Sequence, residues 1–462
     1  MWRLVLVGLG TATVPLDTAV NIAFPDITHS FGLPIAMIQW VVICYVLTYA
    51  SLMLAFGRVG DMFGHGVVFR AGLLWNSVAF LLCAAAPNFG TLLFCRFLQG
   101  IGAGLVISVA PALVTGLFPE SRRSRALGVF TMMIALGSAC GPLLGGALVA
   151  RWGWPGVFWF RVPIAVLPLV LLRGLPAPSQ TETREPLDIL GAALLAVGIS
   201  ALLLAINQSQ HLAAGDWLGV PAAALAVAAL FAFIRREGKA AQPIVDLAYF
   251  RNPAFSAINL GNLLVNLSFF AVLLIGPYYL VRYTGLSLPA AGGVLACGYA
   301  GMFAASPLVG RIIERVSADA VAAVGALLVG LGLFLVGGWN RDSTLPAIVL
   351  PLLIQGAGLG AFQVAYTDIV MRTLPRQRRG VAGSLAMLTR TLGVVSGATV
   401  LTLVFHLAEA AARHGGESTA AAFLAAFHLT FRGAGVVAAL SGTMAPLALY
   451  WMRRSERRPL GS

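Results

Sequence analysis

Charged side chains are rare in the apolar stretches of this sequence, and two of them have the chemistry of a proton pathway. Asp17 lies in the first long apolar stretch and Arg96 in the fourth. A charge inside a membrane is costly and marks a route for protons, ions or substrates. Because burial favours the neutral acid, Asp17 is expected to face a cavity, to carry a proton and, when ionised, to attract a cation.

Two polar neighbours extend this candidate site. Asn21 is one helical turn from Asp17, where it can hydrogen-bond either protonation state, and Gln99 is one turn from Arg96. The spacing does not identify Asp17 as the partner of Arg96. Structural roles stay open, with Asp17 paired to a neighbouring helix or Arg96 bound to helix-end carbonyls.

A second set of polar and aromatic residues is predicted to line a cavity. Three asparagines recur at spacings of three and four and therefore share one helix face, and two glutamines lie on another span. Two tyrosines add rings that suit lipophilic cations. Polar packing between helices explains the amides almost as well. The candidate substrate-binding residues are Asn259, Asn262, Asn266, Gln355, Gln363, Tyr45 and Tyr49, with Asn21 and Gln99.

The elements that position these residues are membrane-spanning helices. Of the 462 residues, 59% are hydrophobic and 10% charged, which leaves no sizeable soluble domain. Continuous apolar runs match a hydrocarbon core of about 30 Å, whereas a β-barrel has shorter alternating segments. The class is therefore an all-α polytopic membrane protein. The fourteen predicted spans are 4–29, 36–57, 68–86, 88–118, 125–150, 154–172, 187–206, 217–234, 252–281, 287–310, 319–338, 344–372, 380–406 and 430–451.

The net charge of +13 reflects topology in this chain. Most of the lysine and arginine residues fall on one side of the predicted spans, which places both termini in the cytoplasm. Clusters such as Arg122, Arg123 and Arg125 are interpreted as anchors that contact anionic lipid, and no nucleic-acid partner is expected. The five cysteines lie in apolar spans without the spacing of a disulfide framework or a metal site.

An internal repeat divides the chain. Shifted by 256 residues, QGIGAG at 99–104 aligns with QGAGLG at 355–360, and Gly137 and Gly141 align with Gly393 and Gly397. Two parallel six-helix halves are one of the transporter architectures. The predicted organisation is an N-terminal bundle at 1–172, a linker with two inserted helices at 173–251, and a C-terminal bundle at 252–462.

Glycines recur every four residues along the fifth span. Gly137, Gly141 and Gly145 share one face, with Pro142 and Gly146 beside them. Small residues at this spacing let two helix backbones approach closely, and an internal proline bends a helix. The span is predicted to form a tight, kinked seam between the two halves, although glycine seams are also common in ordinary membrane packing.

The connection between spans 2 and 3 has the features of a gate. GRVGD at 57–61 ends span 2, and its acid is expected to meet the N-terminus of a facing helix or an arginine of the loop after span 4. A histidine at position 65 would make such a lock sensitive to mild acid. The predicted gating residues here are Gly57, Arg58, Asp61, Gly64, Arg70 and, in the second half, Glu314.

These stretches together resemble the major facilitator superfamily, in particular its fourteen-helix drug:proton antiporters. The similar segments are LDTAVNIAFP (16–25), WVVICYVL (40–47), GRVGDMFGHGVVFR (57–70), RFLQGIGAG (96–104) and GSACGPLLGG (137–146). The resemblance implies that Arg96 belongs to a motif associated with proton transfer and that the fifth-span motif marks export by exchange. The sequence departs from the family pattern at residues 64–66, where further basic residues are usual.

The resemblance implies an inner-membrane exporter of a bacterium that expels lipophilic, cationic compounds in exchange for protons. A proton gradient is the expected energy source, no cofactor is expected, and a monomer in contact with membrane lipid is the expected functional unit. The nucleotide-binding pattern GxxxxGK[ST] does not occur in the sequence. Sodium coupling stays open, as does export or flipping of a lipid or one endogenous metabolite. An enzyme or sensor is disfavoured, since no single span collects converging ligands.

Overall fold

The computed structural model describes residues 2–33, 37–172, 188–208, 219–239, 243–244 and 246–456, and the regular structure within them is entirely helical. Helices follow from the apolar sequence, because a backbone in hydrocarbon must satisfy its hydrogen bonds within its own segment. The predicted all-helical membrane fold is confirmed. Residues 173–187, the start of the predicted linker, lie outside the described residues.

The first half of the chain forms helices α1 to α11. Their bounds are α1 Trp2–Ala12, α2 Ala19–Ile22, α3 Phe24–Phe31, α4 Gln39–Phe63, α5 His65–Ala84, α6 Phe89–Gly116, α7 Arg123–Trp152, α8 Gly156–Trp159, α9 Arg161–Leu171, α10 Ile189–Gln208 and α11 Gly219–Glu237. Short 3-10 turns precede α2 at Pro15–Thr18 and α7 at Glu120–Arg122.

The second half forms helices α12 to α17. Their bounds are α12 Pro253–Tyr283, α13 Leu288–Ile312, α14 Ala318–Val336, α15 Leu345–Thr373, α16 Arg379–His414 and α17 Thr419–Glu456. The chain separates into two compact units, the first made of Met1–Asp246 and Leu374–Leu388 and the second of Leu247–Thr373 and Thr389–Ser462. The start of α16 therefore belongs to the first unit and its remainder to the second.

The predicted spans all correspond to apolar helices. Within the described residues, thirteen helical segments are long and apolar enough to cross a membrane. The remaining predicted span, 154–172, corresponds to the shorter apolar segment Gly156–Leu171, which contains α8 and α9. Length and apolarity thus located thirteen candidate spans and a shorter apolar segment at the fourteenth, while the exact ends differ.

Two helices extend beyond their predicted spans. The predicted spans 380–406 and 430–451 correspond to helices of 36 and 38 residues, α16 and α17. An ion pair at i,i+4 spacing, Arg413 Nη2 to Glu409 Oε1 at 2.6 Å, lies in the added part of α16. Alanine and such pairs favour helix without apolarity, so hydropathy alone ended the predicted span of α16 too early. The main addition to α17 lies at its start, where residues 419–429 are rich in alanine.

The inserted helices α10 and α11 lie in the first unit. They pack against each other, and α10 also packs against α4. A bond from Arg236 Nε to Asp188 Oδ2 at 2.8 Å joins the start of α10 to the end of α11. This hydrogen bond lowers the pKa of Asp188 below its ordinary value, so the two ends stay paired at neutral pH.

The first span is broken at Asp17, and the prediction of one continuous helix at 4–29 was wrong. α1 ends at Ala12, and the 3-10 turn at Pro15–Thr18 precedes α2. Proline has no backbone N–H and its ring blocks the preceding turn, which interrupts the helical hydrogen bonds. The Asp17 N–H donates instead to the Val14 carbonyl at 3.0 Å, a three-residue step typical of a 3-10 turn.

The glycine face of α7 packs against this broken helix. A Cβ added to Gly137 would lie 2.8 Å from the Ala12 carbonyl oxygen, and one on Gly141 would overlap the Thr18 hydroxyl. Gly145 faces the next turn of the same partner, where a Cβ would lie 3.2 Å from a carbonyl oxygen. Only glycine allows this approach, so α7 fixes the backbone that carries Asp17.

The partner of this glycine face differs from the prediction. The seam was expected between the two halves, but its contacts lie within the first unit, against the first span. Gly146 does not take part, since no atom lies within 4 Å of an added Cβ. α7 stays helical through Pro142. The spacing identified the close approach but carried no information about the helix on the other side.

The second unit repeats this packing. The aligned glycines of α16, Gly393 and Gly397, face the carbonyl oxygens of Leu263 and Leu267 on α12. A Cβ at Gly397 would lie 2.7 Å from the Leu267 oxygen. The internal repeat found in the sequence therefore recurs as the same kind of helix contact in each unit.

Replacing Gly141 by leucine is expected to destabilise the protein, because the new side chain must displace Thr18 and the backbone beside it. Overpacking of this kind costs about 1–3 kcal/mol. Thermal unfolding of the detergent-purified variant measures the effect. Gly146→Leu is the matched control, since its side chain would enter open space. Equal unfolding temperatures for the two variants would contradict the packing described here.

Candidate functional site

The carboxylate of Asp17 is the centre of a buried charge cluster in the first unit. The 3-10 turn places the side chain among α4, α6 and α9, where 11% of its surface stays exposed. Both of its oxygen atoms accept hydrogen bonds from arginine. Asp17 is therefore paired with neighbouring helices, the alternative that the sequence left open.

Arg96 is the first of its partners and lies on α6 with no exposed surface. Its Nη1 donates to Asp17 Oδ1 and its Nη2 to Asp17 Oδ2, each at 2.7 Å, a two-pronged arrangement that is strong and specific in direction. Its Nε donates to the Val41 carbonyl on α4 at 2.7 Å. The pairing that the sequence left open is thus present.

Gln99 completes the contact one turn further along α6. Its Oε1 accepts from Arg96 Nη1 at 2.8 Å, and its Nε2 donates to Asp17 Oδ1 at 3.0 Å. An amide can do both because it carries a donor and an acceptor. Gln99, whose predicted substrate contact stays a prediction, is a buried member of the charge cluster.

Arg161 is the second partner and was missed in the sequence. It is the first residue of α9, has no exposed surface, and donates from Nη1 to Asp17 Oδ1 at 2.6 Å. Its Nε donates to the Val157 carbonyl at 3.0 Å. The available signal was a lone arginine inside the predicted span 154–172, as unusual there as Arg96 is in its own span.

Aromatic rings enclose the two guanidinium groups. The Tyr45 ring lies 4.3 Å from Arg96 Cζ, the Phe80 ring lies 4.4 Å from Arg161 Cζ, and Phe158 is near both, at 5.8 and 5.4 Å. Ring faces attract cations, most strongly where water is excluded. Tyr45 therefore supports Arg96 in this structure, while Tyr49 makes an edge contact with Tyr45 at 5.1 Å.

The three charges do not cancel. One carboxylate faces two guanidinium groups, which leaves the cluster with a formal charge of +1. Two adjacent cations stabilise the ionised carboxylate and oppose any further cation. The expectation that an ionised Asp17 attracts a positively charged compound is therefore not supported by its surroundings.

Asn21 is not part of the cluster. Its side chain is exposed, and it forms no hydrogen bond with Asp17. The prediction assumed a continuous helix, in which residues four apart share a face. The 3-10 turn between them changes that spacing, so the expected neighbour points elsewhere.

The predicted asparagines of α12 form a separate hydrogen-bonded cluster in the second unit. Gln363 Nε2 donates to Asn262 Oδ1 at 3.0 Å and to Asn266 Oδ1 at 3.3 Å. Asn259 Oδ1 accepts from the Tyr366 hydroxyl at 2.8 Å. All of these amides are buried, and those of Asn262, Asn266 and Gln363 are bonded to one another, so they stay candidates for a cavity lining and also satisfy the packing alternative.

Gln355, the repeat counterpart of Gln99, lies apart from this amide cluster. It is fully buried on α15, and neither atom of its amide group has a hydrogen-bond partner. The repeat therefore brings a glutamine to equivalent sequence positions but engages only one of them with charged neighbours.

Asp61 lies at the N-terminus of α16, one of the two arrangements predicted for it. Its Oδ1 accepts from the Gly380 N–H at 2.6 Å and its Oδ2 from the Val381 N–H at 3.2 Å. His65 Nε2 is 2.9 Å from the same Oδ1. The first turn of a helix has free N–H groups and a partial positive charge, so the buried carboxylate caps it.

Of the other predicted gating residues, Gly57 lies against the start of α16, whereas Glu314 lies in the second unit. A Cβ on Gly57 would lie 2.6 Å from the Gly380 carbonyl oxygen, and Gly64 has a φ of 92°, which suits glycine between α4 and α5. Arg58 is buried and Arg70 half-buried, while Glu314 is exposed beyond the end of α13.

A surface ion pair missed in the sequence lies beside the Asp61 cap. Glu120 Oε1 accepts from Arg376 Nη2 at 2.9 Å and from Arg379 Nη2 at 3.0 Å. The carboxylate is more than half exposed, so water and salt weaken these bonds. The internal repeat aligns the loop that contains Glu120 with the loop that contains Arg376 and Arg379. The alignment alone did not show that these two loops are in contact.

With this geometry established, the sequence matches the Major Facilitator Superfamily over residues 7–236 and 258–462. The match covers most of the chain, and the protein belongs to this superfamily of membrane transporters, whose members carry small molecules. The predicted family is confirmed.

Curated relatives and solved structures agree with this assignment. The riboflavin transporter RibZ of Clostridioides difficile is 28% identical over 404 residues, 87% of this chain and 87% of that protein. The multidrug resistance protein Stp of Mycobacterium tuberculosis is 29% identical over 86% of this chain and 74% of that protein. The crystal structure of the human organic anion transporter MFSD10 aligns with 96% of this chain and 98% of the MFSD10 chain. The TM-score is 0.66 at 18% sequence identity, which supports the fold.

Replacing Arg96 by methionine is expected to lower the stability of the protein by about 2 kcal/mol, because its charged hydrogen bonds to Asp17 are lost while the bond from Arg161 remains. Thermal unfolding in detergent measures the loss. Arg151→Met, at an exposed position near the end of α7, is the control and is expected to unfold like the wild type. Two equally stable variants would show that the Asp17 bonds contribute nothing to the fold.

Removing the cap at Asp61 is expected to free the first turn of α16. Asp61→Ala leaves the N–H groups of Gly380 and Val381 without their acceptor, and the loss of a helix cap costs about 1 kcal/mol. Hydrogen–deuterium exchange of the peptide covering 379–385 should accelerate about fivefold, as that energy implies. Asp342→Asn, an exposed acid, is the control. Unchanged exchange would show that Asp61 does not hold this turn.

Proposed function

We propose that the protein exports lipophilic small molecules across the cytoplasmic membrane of a bacterium and takes up protons in exchange. Membership in the superfamily supports small-molecule transport, and the naming of Stp as a multidrug resistance protein supports export. The observation that carries the proposal is the buried Asp17 carboxylate, held by two arginines and a glutamine within the first unit.

Asp17 is the proposed proton carrier. Its carboxylate accepts every one of the bonds that tie Arg96, Gln99 and Arg161 to the first span. A proton on Asp17 removes the charge that holds both guanidinium groups and weakens those charge-assisted bonds. The helices α6 and α9 are then free to adopt another arrangement around the first span. Proton binding and the conformation of the unit are coupled in this way.

The cap on α16 is the proposed conformational lock. Asp61 joins the end of α4 to the start of α16 by accepting hydrogen bonds from the backbone N–H groups of Gly380 and Val381. Most lysine and arginine residues fall on the side of the predicted spans that contains the Asp61 cap and both termini. We therefore propose that this side is cytoplasmic. The monomer is the proposed functional unit, with its basic clusters in contact with lipid headgroups.

A second candidate function is export of one endogenous metabolite. The relative RibZ is named a riboflavin transporter, so a narrow substrate is compatible with similarity at this level. Accumulation of several unrelated dyes in cells with and without the protein separates the two functions. Exclusion of many dyes supports multidrug export, and exclusion of a single class supports the narrow substrate.

Asp17→Asn is expected to stop pH-driven dye export while leaving a folded protein. The amide keeps the shape of the carboxylate but can neither lose nor gain a proton near neutral pH. Proteoliposomes with an imposed pH gradient measure export, and Asp342→Asn is the control. Wild-type export at an unchanged rate in Asp17→Asn would remove Asp17 from the mechanism, and export driven only by a sodium gradient would replace the proton.

A further inference from the structure

The buried charge cluster has an excess positive charge, and Arg161 is its source. Without Arg161, Asp17 and Arg96 would form a balanced pair joined by two bonds of 2.7 Å. Arg161 adds a second guanidinium group with no exposed surface. A buried cation that lacks its own counter-charge is costly, so this residue calls for an explanation beyond holding Asp17.

Asp17 offers a poor site for a positively charged compound. Its Oδ1 already accepts from Arg96, Gln99 and Arg161, and its Oδ2 from Arg96. An ammonium or iminium group bound at the remaining position on Oδ2 would lie beside two guanidinium groups. Repulsion between like charges in a water-poor site makes such binding unfavourable.

Arg161 has an unused donor. Its Nε and Nη1 donate to Val157 and Asp17, but its Nη2 is buried and has no hydrogen-bond partner. A buried donor without an acceptor loses its bonds to water and gains nothing in return. Rings of Phe80 and Phe158 cover the guanidinium group, so an acceptor would have to reach its free edge.

We propose that Arg161 sets the charge of the transported compound, excluding lipophilic cations and donating from Nη2 to an acceptor oxygen on an uncharged or acidic compound. Carbonyl, phenolate and carboxylate oxygens are the acceptors that fit. This inference rests on the proposed export of lipophilic small molecules. It differs from the prediction of cationic substrates, which followed from Asp17 considered without its partners.

Two dyes with the same tricyclic ring system and opposite charge test this proposal. Fluorescein is an anion and rhodamine 123 a cation, so size and ring chemistry are closely matched. Equilibrium binding to the detergent-purified full chain in gluconate buffer measures affinity, and export from proteoliposomes measures transport. The wild-type protein should bind and export fluorescein in preference to rhodamine 123.

Variants at position 161 should change this preference. Arg161→Gln should weaken fluorescein binding about tenfold or more, the usual effect of losing a charged donor, and should strengthen rhodamine 123 binding. Arg161→Lys keeps the charge and should keep the exclusion of rhodamine 123. Arg151→Gln removes an exposed arginine from the same unit and should leave the ratio of the two affinities unchanged.

Asp17→Asn gives an independent test of opposite sign, which holds even if Arg161→Gln does not fold. Removing the carboxylate raises the formal charge of the cluster, so fluorescein should bind more tightly, by about tenfold. If Asp17 instead attracted cations, the same variant would lose rhodamine 123 binding and gain nothing for fluorescein. That result, or a wild-type preference for rhodamine 123, would overturn the proposal.

A small inorganic anion is the remaining source of an acceptor. Replacing gluconate by chloride distinguishes an inorganic anion from a transported compound. If chloride raises the unfolding temperature only when Arg161 is present, and fluorescein does not bind, the proposed role of Arg161 in substrate choice is overturned. Binding and transport also separate this inference from the proposed function. Arg161-dependent fluorescein binding without export supports the inference and contradicts export, whereas export that favours rhodamine 123 supports export and contradicts the inference.

Discussion

One carboxylate that is shared by two arginines connects the first span to α6 and α9 within the first unit. Asp17 lies at a break in the first span, Arg96 on α6 and Arg161 on α9, and none of these charges has another ionic partner among the residues described. The glycine face of α7 holds the broken span in place, so backbone packing and ion pairing depend on each other. Losing the carboxylate would leave two buried cations side by side. Because protonation of Asp17 removes the same negative charge, the stability of the unit and its proposed response to protons depend on one group.

Much of this architecture could be predicted from sequence because it depends on local composition. Apolar length located the spans, and the internal repeat and family resemblance pointed to a transporter. Partnerships across long sequence separations could not be predicted in this way. Arg96 and Asp17 are 79 residues apart and Arg161 and Asp17 are 144 apart, so no spacing rule connects them. Asn21 was misplaced because one proline changed the local helix type, and the predicted role of each site residue stays a prediction.

The two units share a repeat but differ in their buried chemistry. In the first, Gln99 bonds to an acid and an arginine, whereas its counterpart Gln355 has no bonding partner for its amide group. The polar residues described on α12 and α15 near Asn262 bond as neutral groups. Neutral amides can exchange hydrogen-bond partners without any change of charge. Proton binding can therefore change the charge of the Asp17 cluster, whereas the amides near Asn262 offer adaptable polar contacts.

The spacing of the ion pairs along the chain also has a consequence for biosynthesis. Asp17 emerges from the ribosome well before either arginine, and an isolated charge at the centre of a membrane helix costs about 2.5–3.5 kcal/mol on insertion. The first span is therefore poorly suited to settle in the bilayer until residue 96 has been made, and the second cation enters only with residue 161. Assembly of this bundle must wait for synthesis of its sixth span, and a chain truncated before that point would carry an incomplete set of charges.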